Sequence, residues 1–147
     1  KLLQDADIAL LPNRTLSPIF VKGQPLTITG LGDLWAEELH PEKCLRPKRE
    51  SNPTGDPPVI LLCHNPDAKD KLTPYVWDLM LCGHTHGGQI FLPWFGTPFA
   101  PVRDHAYVEG LHEWQGRLIH ITRGVGNLHG FRFNCRPEVS ILEAGPA

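Results

Sequence analysis

Apolar residues occur along this chain in short runs, and glycine, proline or polar clusters separate one run from the next. The two clearest runs, residues 59–63 and 77–82, show little apolar–polar alternation, which predicts strands covered on both faces. A helical segment is expected between them, near residues 67–72, and a connection of this length allows the strands to be parallel neighbours. Each run ends beside a histidine.

The rest of the pattern predicts more strand than helix. A short helix is expected at residues 41–45, with Pro41 in its first turn, and a polar, proline-rich loop at residues 46–58. Further short strands are predicted at residues 8–11, 26–30, 89–92, 118–122, 131–133 and 139–142. The fold class expected from this order is a strand-rich α/β domain, with residues 1–147 in a single unit.

The composition is that of a globular protein, since 41% of the 147 residues are hydrophobic and 20% are charged. A net charge of -2 and a pI near 6.5 argue against a nucleic-acid-binding surface, which would normally be basic. No apolar run approaches the roughly 20 residues of a membrane-spanning helix. The chain opens with Lys1 in the middle of an apolar pattern, so we expect a fragment or a processed product.

The four cysteines, at positions 44, 63, 82 and 135, form no Cys-x-x-Cys pair. Their spacing therefore indicates neither a zinc knuckle nor a disulfide framework. Cys63 and Cys82 lie inside the two apolar runs, and we expect them to be buried as small hydrophobic side chains rather than to act as redox groups or ligands.

The most informative string is GHTHGGQ, residues 83–89, which directly follows the second apolar run. In extended backbone, side chains two positions apart project to the same side, so His84 and His86 are expected to aim their imidazoles into one space. His64 follows the first run, and parallel strands would bring all three imidazoles to one sheet edge. Neutral imidazole is a common ligand of Zn, Mn, Fe and Ni.

A histidine at the end of a strand is more often a hydrogen-bonded structural residue than a ligand, and for His64 alone this reading would be preferred. A His-x-His string flanked by glycines favours metal binding instead. A structural zinc site would need paired cysteines or a longer histidine spacing. A cupin-like site would need a carboxylate a few residues further on, where this chain has GGQIFLPW.

The strings LLCHNPD (61–67) and DLMLCGHTHGGQ (78–89) resemble the last two signature blocks of the calcineurin-like metallophosphoesterases, and most closely those of a bacterial GHTHGGQ subgroup. The resemblance extends to GLGDLW (30–35), TRGVG (122–126) and RPEV (136–139), so it covers most of the chain. It implies the C-terminal half of a four-layered α/β/β/α sandwich.

The resemblance also implies roles for the three histidines: His64 and His84 would bind the second metal ion of a two-metal site, and His86 the first. The ions, of undetermined identity among Mn, Zn, Fe and Ni, would lie about 3.5–4 Å apart and activate water for in-line attack on phosphorus. The family's first three blocks, D-x-H, G-D-x-x-D and G-N-H-D/E, are absent from this sequence. We therefore expect no catalytic residue in this chain, one weakly bound ion or none, and no activity without an upstream half.

Two arginines, Arg123 and Arg132, flank the glycine-rich turn at residues 124–130 and are candidate substrate-binding residues, with a structural ion pair as the alternative. Asp33 is one of several aspartates that could support a metal-bound histidine, although a surface or capping role is commoner for such residues. Asp67 is expected to cap the helical segment that follows it.

The expected parent protein is a metal-dependent phosphodiesterase or pyrophosphatase acting on a small phosphate ester or a lipid-linked substrate, as related UDP-diacylglucosamine pyrophosphatases do. The aromatic stretch at residues 91–99 would pack under a loop, wall an apolar pocket, or make a peripheral membrane contact. The expected location is cytoplasmic or peripheral to a bacterial inner membrane. The alternative is a non-catalytic domain whose histidines bind one structural metal ion or hydrogen-bond internally. Alone, the chain is expected to self-associate through uncovered apolar surface.

Overall fold

The computed structural model of the protein describes residues 2–16, 18–48, 56–127 and 130–145. Within these ranges the main feature is a mixed sheet. Its strands are β1 (Arg14–Thr15), β2 (Ile19–Val21), β3 (Gln24–Gly30), β4 (Val59–Leu62), β5 (Leu79–Cys82), β6 (Gly110–Trp114) and β7 (Arg117–Ile121). The order across the sheet is β1-β3-β4-β5-β7-β6, with β2 paired to β3. The helical elements are the α-helix α1 (Leu2–Asp5) and the 3₁₀ helices Pro41–Lys43, Pro66–Leu72 and His86–Gly88.

The four central strands, β3, β4, β5 and β7, are parallel to one another. This confirms the prediction that the two runs ending beside histidines are parallel neighbours, because β4 pairs with β5 in the register Leu61 to Met80. The connection between them contains the predicted helical segment, which is the 3₁₀ helix Pro66–Leu72. The carboxyl ends of all four strands therefore meet along one edge of the sheet.

One face of the sheet carries the core. Leu61, Met80 and Ile119 are register partners on adjacent strands, and none of them is accessible to solvent. Leu72 and Trp77 cover this face, and the indole Nε1 of Trp77 donates to the Leu72 carbonyl oxygen at 3.2 Å. The connection that follows His64 is thereby packed firmly onto the strands that carry the candidate ligands.

The opposite face is apolar but poorly covered by the described residues, so within them the predicted strands at 59–63 and 77–82 are covered on one face only. Burial alternates along β4 and β5, and Leu62 and Leu118 are 39% and 43% exposed. By register and alternation, the aliphatic side chains on this face include Ile28, Ile60, Leu62, Leu79, Leu81 and Leu118. We call these six residues the open face.

The other predicted elements have mixed outcomes. The strands at residues 26–30 and 118–122 are confirmed as parts of β3 and β7, and the short helix at 41–45 is the 3₁₀ helix Pro41–Lys43. The strands expected at residues 8–11 and 139–142 are wrong, because neither segment pairs with a strand and both are largely exposed. Residues 89–92 and 131–133 form only isolated bridges. Of the loop expected at 46–58, residues 49–55 lie outside the described ranges.

The cap of the helix Pro66–Leu72 also differs from the prediction. Asn65 rather than Asp67 is the N-cap residue, and its side-chain oxygen accepts a hydrogen bond from the Asp67 backbone N–H at 2.9 Å. Asp67 itself is buried, and its Oδ2 accepts from the backbone N–H of Arg103 at 2.9 Å. In the part of the chain that the structure describes, no helix is long and apolar enough to cross a membrane.

Candidate metal centre

Polar side chains follow each of the four parallel strands where it reaches the carboxyl edge of the sheet. Asp33 comes after β3, His64 after β4, His84 after β5 and Arg123 after β7. Because adjacent parallel strands end side by side, residues far apart in sequence are brought to one edge. Loops at this edge are the usual location of binding sites in α/β folds.

His64 and His84 lie together at this edge. Their ring centroids are 5.0 Å apart and the ring planes are close to perpendicular. Gly83 separates the end of β5 from His84, its N–H donates to the His64 carbonyl oxygen at 3.0 Å, and a Cβ there would lie 3.8 Å from His64 Nδ1. The Trp35 ring packs edge-on against His84 with a centroid distance of 4.3 Å. The two imidazoles therefore share one space, with an indole beside it.

The two ring nitrogens of His84 differ: Nε2 is bonded to the protein, and Nδ1 is available to bind a ligand. Its Nε2 lies 3.0 Å from the carbonyl oxygen of Pro101, which can only accept, so Nε2 carries the proton and Nδ1 keeps its lone pair. Burial, followed by the neighbouring His64, lowers the pKa of His84 and favours the neutral form that ligates metal ions. Metal-binding histidines usually donate their other N–H to a carbonyl or carboxylate in this way.

The ring of His86 bonds a different segment from the one beside His64 and His84. Its Nδ1 is 3.2 Å from the carbonyl oxygen of Gly126, which again leaves Nε2 with its lone pair. A Cβ at Gly126 would lie 3.0 Å from Cε1 of the His86 ring, so a larger residue there would press on the imidazole. The structure thus brings together His64 and His84 but does not add His86 to a ligand cluster. Among the described residues, no group of three or more His, Cys, Asp or Glu side chains is placed to hold a metal ion.

The prediction that His84 and His86 lie on one side of an extended backbone is wrong. The backbone there is not extended: His84 and His86 have φ values of 66° and 52°, and Thr85 between them is helical at φ -72°. Such left-handed φ values cost roughly 1–3 kcal/mol per non-glycine residue and tend to occur at functional sites. Two candidate ligands in one loop are therefore held in disfavoured backbone conformations.

The glycines that follow explain how the loop turns. Gly87 and Gly88 have φ values of 62° and 71°, which only glycine adopts readily, and the buried Thr85 hydroxyl accepts from the Gly87 N–H at 3.2 Å. Neither glycine has room for a side chain, because a Cβ at Gly87 would lie 2.5 Å from Arg123 Cγ and one at Gly88 2.4 Å from Thr97 Cβ. The sequence GHTHGG therefore specifies a compact turn that packs against two other segments.

Asp33 adds a negative charge beside the two imidazoles. Its Oδ1 accepts from the backbone N–H groups of Trp35 and Ala36, each at 2.8 Å. The hydrogen bond from Ala36 lowers the pKa of Asp33, and the nearby rings of His64 and His84 act in the same direction. The sequence indicated Asp33 only as one aspartate among several. The contact of Trp35 with His84 was missed, and no local sequence signal announces it.

The two arginines proposed to bind substrate have protein partners. The Arg123 Nε and Nη2 atoms each lie 2.7 Å from Glu138 Oε2, and Glu109 is 3.5 Å away. Arg132 donates to several backbone carbonyl oxygens, including that of His86 at 3.1 Å. A contact of either guanidinium with substrate stays a prediction, and the contacts present are structural.

All four cysteines are free thiols, and Cys63 and Cys82 are buried as expected. Burial raises the pKa of Cys63 to about 12 and that of Cys82 well above its usual value. A thiol that stays protonated is a poor nucleophile and a poor metal ligand. The chemistry at this edge therefore belongs to the imidazoles and Asp33.

The donor set fits part of a divalent metal site. His84 Nδ1 and His86 Nε2 keep lone pairs, and the other nitrogen of each ring is held by a backbone carbonyl, which is the usual arrangement around ligating histidines. Imidazoles with a nearby carboxylate suit Zn, Mn, Fe or Ni. A pair of dications would need additional carboxylate ligands, including a bridging one, beyond those that the described residues bring together.

Comparison with known proteins finds several similar chains. Phosphodiesterase YaeI of Escherichia coli is 47% identical over 141 residues, which cover 96% of this chain and 49% of that protein. UDP-2,3-diacylglucosamine pyrophosphatase LpxG of Chlamydia trachomatis is 30% identical over 149 residues, covering 96% and 43%. The uncharacterized metallophosphoesterase YkuE of Bacillus subtilis is 42% identical over 84 residues, covering 56% and 29%. The chain thus spans about half the length, or less, of the curated relatives it matches. No family model and no solved structure matches it.

Proposed function

The chain belongs to the calcineurin-like metallophosphoesterase family, and we propose that it forms the C-terminal half of a metal-dependent phosphodiesterase or pyrophosphatase. The observation that carries the proposal is the convergence of His64 and His84, 5.0 Å apart at the ends of adjacent parallel strands. Their loops are the two strings that resemble the last family blocks. Relatives of twice the length provide the reason to expect an upstream half.

In this proposal His64 and His84 hold one divalent ion and His86 contributes to a second. His84 would bind through Nδ1 and His86 through Nε2, because their other ring nitrogens face carbonyl oxygens. The remaining ligands, including a bridging carboxylate, would come from the upstream half. When bound, two ions would supply Lewis-acid activation of water and would neutralise charge that develops on the phosphoryl oxygens.

The residues around the imidazoles keep them in place. Trp35 packs against the His84 ring, and the Pro101 carbonyl fixes which of its nitrogens carries the proton. Asp33 places a negative charge beside both rings of the pair, which favours the binding of a cation there. These groups are set by the fold before any ligand binds, so metal binding need not order them.

The open face supports the proposal of a four-layered sandwich. Its six aliphatic side chains form an apolar surface on a sheet whose other face is already packed. Monomeric proteins rarely leave such contiguous apolar surface uncovered. We propose that a second sheet from the upstream half covers it, and that the same contact brings the missing ligands to the carboxyl edge.

Comparison of the isolated chain with the full-length protein tests this proposal. We expect the 147-residue chain to show no metal-dependent hydrolysis of bis(p-nitrophenyl) phosphate and to self-associate in size-exclusion chromatography. The full-length protein is expected to be monodisperse and to hydrolyse the ester only with a divalent ion present. A metal-dependent rate from the isolated chain would refute the division into halves. An inactive full-length protein that binds no metal ion would favour the non-catalytic alternative.

The substrate class is proposed from the relatives and from one exposed hairpin. YaeI is named a phosphodiesterase and LpxG a pyrophosphatase of a diacylated nucleotide sugar, so a small or a lipid-linked phosphate ester is the proposed substrate. Leu92 and Gly96 pair across a tight turn, and Trp94 and Phe95 at its tip are 98% and 79% exposed. Exposed aromatic side chains of this kind insert readily at the water–lipid interface.

If this hairpin contacts a membrane, the Trp94→Ala/Phe95→Ala double variant should lose most of its sedimentation with anionic liposomes. The matched control is Phe20→Ala/Val21→Ala, which removes exposed apolar side chains, 73% and 51% accessible, from strand β2. We expect the control to sediment like the wild type. Equal losses in both variants would indicate general hydrophobicity, and no loss in either would remove the membrane contact from the proposal.

A further inference from the structure

Arg132 bonds the carbonyl group of His86 and also the carbonyl group that accepts from the His86 ring. The ring Nδ1 donates to the Gly126 carbonyl oxygen at 3.2 Å, and Arg132 donates to the same oxygen from Nη2 at 2.5 Å and Nε at 3.1 Å. A third bond runs from Arg132 Nη1 to the His86 carbonyl oxygen at 3.1 Å. One guanidinium therefore fixes the main chain of His86 and the acceptor of its ring.

The remaining bonds of Arg132 join it to the turn after β7 and to Cys135, three residues further along the chain. Nη2 donates to the carbonyl oxygens of Arg123 at 2.8 Å and Gly124 at 3.2 Å, just after β7, and Nη1 lies 3.5 Å from that of Cys135. Among the described residues, no carboxylate lies within ion-pairing distance of Arg132. A planar guanidinium with five donors suits this convergence of carbonyls, whereas an ammonium group does not.

The backbone of His86 needs such support. Its φ of 52° is disfavoured for a residue with a Cβ. The carbonyl oxygen of the same residue accepts from Arg132 and from the buried Cys135 thiol, whose Sγ is 3.2 Å away. These bonds hold the peptide group that follows the strained residue.

We propose that Arg132 is a positioning residue for His86: it keeps the ring in its Nδ1–H form against Gly126 and leaves Nε2 as the ligand nitrogen. This inference rests on the proposed function, because the position matters for hydrolysis only when His86 is a metal ligand. Groups that orient a ligating histidine typically change metal affinity by about 10–100-fold when removed. Arg132 acts through Gly126 and makes no direct contact with the metal ion.

A purely structural role is the alternative, and Arg117 provides the matched control. Arg117 is a buried arginine that, like Arg132, donates to backbone carbonyl oxygens, those of Leu72 at 3.2 Å and Thr73 at 3.3 Å. Its guanidinium lies over the Trp77 ring, and its hydrogen bonds go to residues outside the candidate metal centre. Replacement of either arginine by lysine keeps the positive charge and removes the planar guanidinium. An effect that comes only from weakened folding should therefore appear in both variants, and an effect on His86 only in Arg132→Lys.

The first measurement uses metal-free, full-length protein and follows the histidine tautomers by ¹⁵N NMR. The His86 ring signals are assigned by their loss in His86→Asn. In the wild type and in Arg117→Lys we expect an Nδ1–H signal for His86 at neutral pH. In Arg132→Lys we expect that signal to be averaged between the two tautomers, because the Gly126 carbonyl is no longer held. Arg132→Gln serves if Arg132→Lys does not fold.

The second measurement is Mn²⁺ affinity by calorimetry on the same proteins. We expect Arg132→Lys to weaken binding at one of two sites by about 10–100-fold and Arg117→Lys to leave both unchanged. A wild-type tautomer and wild-type affinity in Arg132→Lys, with lowered thermal stability alone, would overturn the positioning role. An equal loss of affinity in Arg117→Lys would also overturn it. If the wild-type protein binds no Mn²⁺ but the tautomer still depends on Arg132, the proposed function fails and the positioning of His86 stands.

Discussion

Replacement of His84 by alanine is expected to lower the metal affinity and the metal-dependent phosphodiesterase rate of the full-length protein by more than about 100-fold. A supporting group costs up to about that factor, and a direct ligand should cost more. The loss should be specific to binding, since His84 is only partly buried and its removal leaves the core intact. Metal titration by calorimetry and the rate with bis(p-nitrophenyl) phosphate measure the two effects.

His112→Ala is the matched control for this prediction. His112 also bonds a backbone carbonyl through Nε2, that of Glu109 at 2.7 Å, and it lies on β6, the edge strand. We expect the control to keep wild-type affinity and rate. A loss in His84→Ala smaller than about tenfold would mean that His84 is not a ligand of the catalytic metal ions.

A large loss of stability is expected from a substitution at Gly87, in the turn that follows His86. Gly87→Ala should lower the free energy of unfolding by about 3 kcal/mol or more, through a left-handed backbone and an overpacked side chain. The φ of Gly87 is 62°, and the new Cβ would lie 2.5 Å from Arg123 Cγ and 2.7 Å from Cys135 Sγ. Urea unfolding followed by tryptophan fluorescence measures the change.

Gly116→Ala separates the two causes. Gly116 has a similar φ of 74°, but a Cβ there meets no atom within 4 Å. Its replacement should therefore cost only the backbone term, about 1–2 kcal/mol. Equal losses in the two variants would show that the contacts of Gly87 with Arg123 and Cys135 do not constrain the turn. A larger loss for Gly87→Ala, together with weaker metal binding, would support a turn that is packed to hold His86.

The sequence allowed the arrangement of β4 and β5 to be predicted because two apolar runs each ended beside a histidine and were joined by a connection of crossover length. Parallel pairing then follows from simple geometry. The apolar run itself could not reveal that only one face is packed, because the residues of the open face are as hydrophobic as those of the core. Residues 8–11 and 139–142 were predicted as strands because they too are short apolar runs. No described strand pairs with either segment.

The site was predictable in its residue types but not in its local geometry. The string GHTHGGQ located the loop, but it did not reveal the left-handed backbone at His84 and His86. The ring partners of these two histidines include the carbonyl oxygens of Pro101 and Gly126, which are distant in sequence. The same holds for the contact of Trp35 with His84. Alternation rules describe regular strands, and they fail where tertiary contacts impose a strained turn.

The most direct test is anomalous X-ray diffraction from crystals of the full-length protein, measured at the absorption edge of the metal ion that it carries. We expect two anomalous peaks about 3.5–4 Å apart. One should lie about 2.0–2.2 Å from nitrogen atoms of His64 and His84, and the other at the same distance from Nε2 of His86. Peaks bound by other residues, with these imidazoles bonded only to protein, would contradict the assignment of this edge as the metal centre.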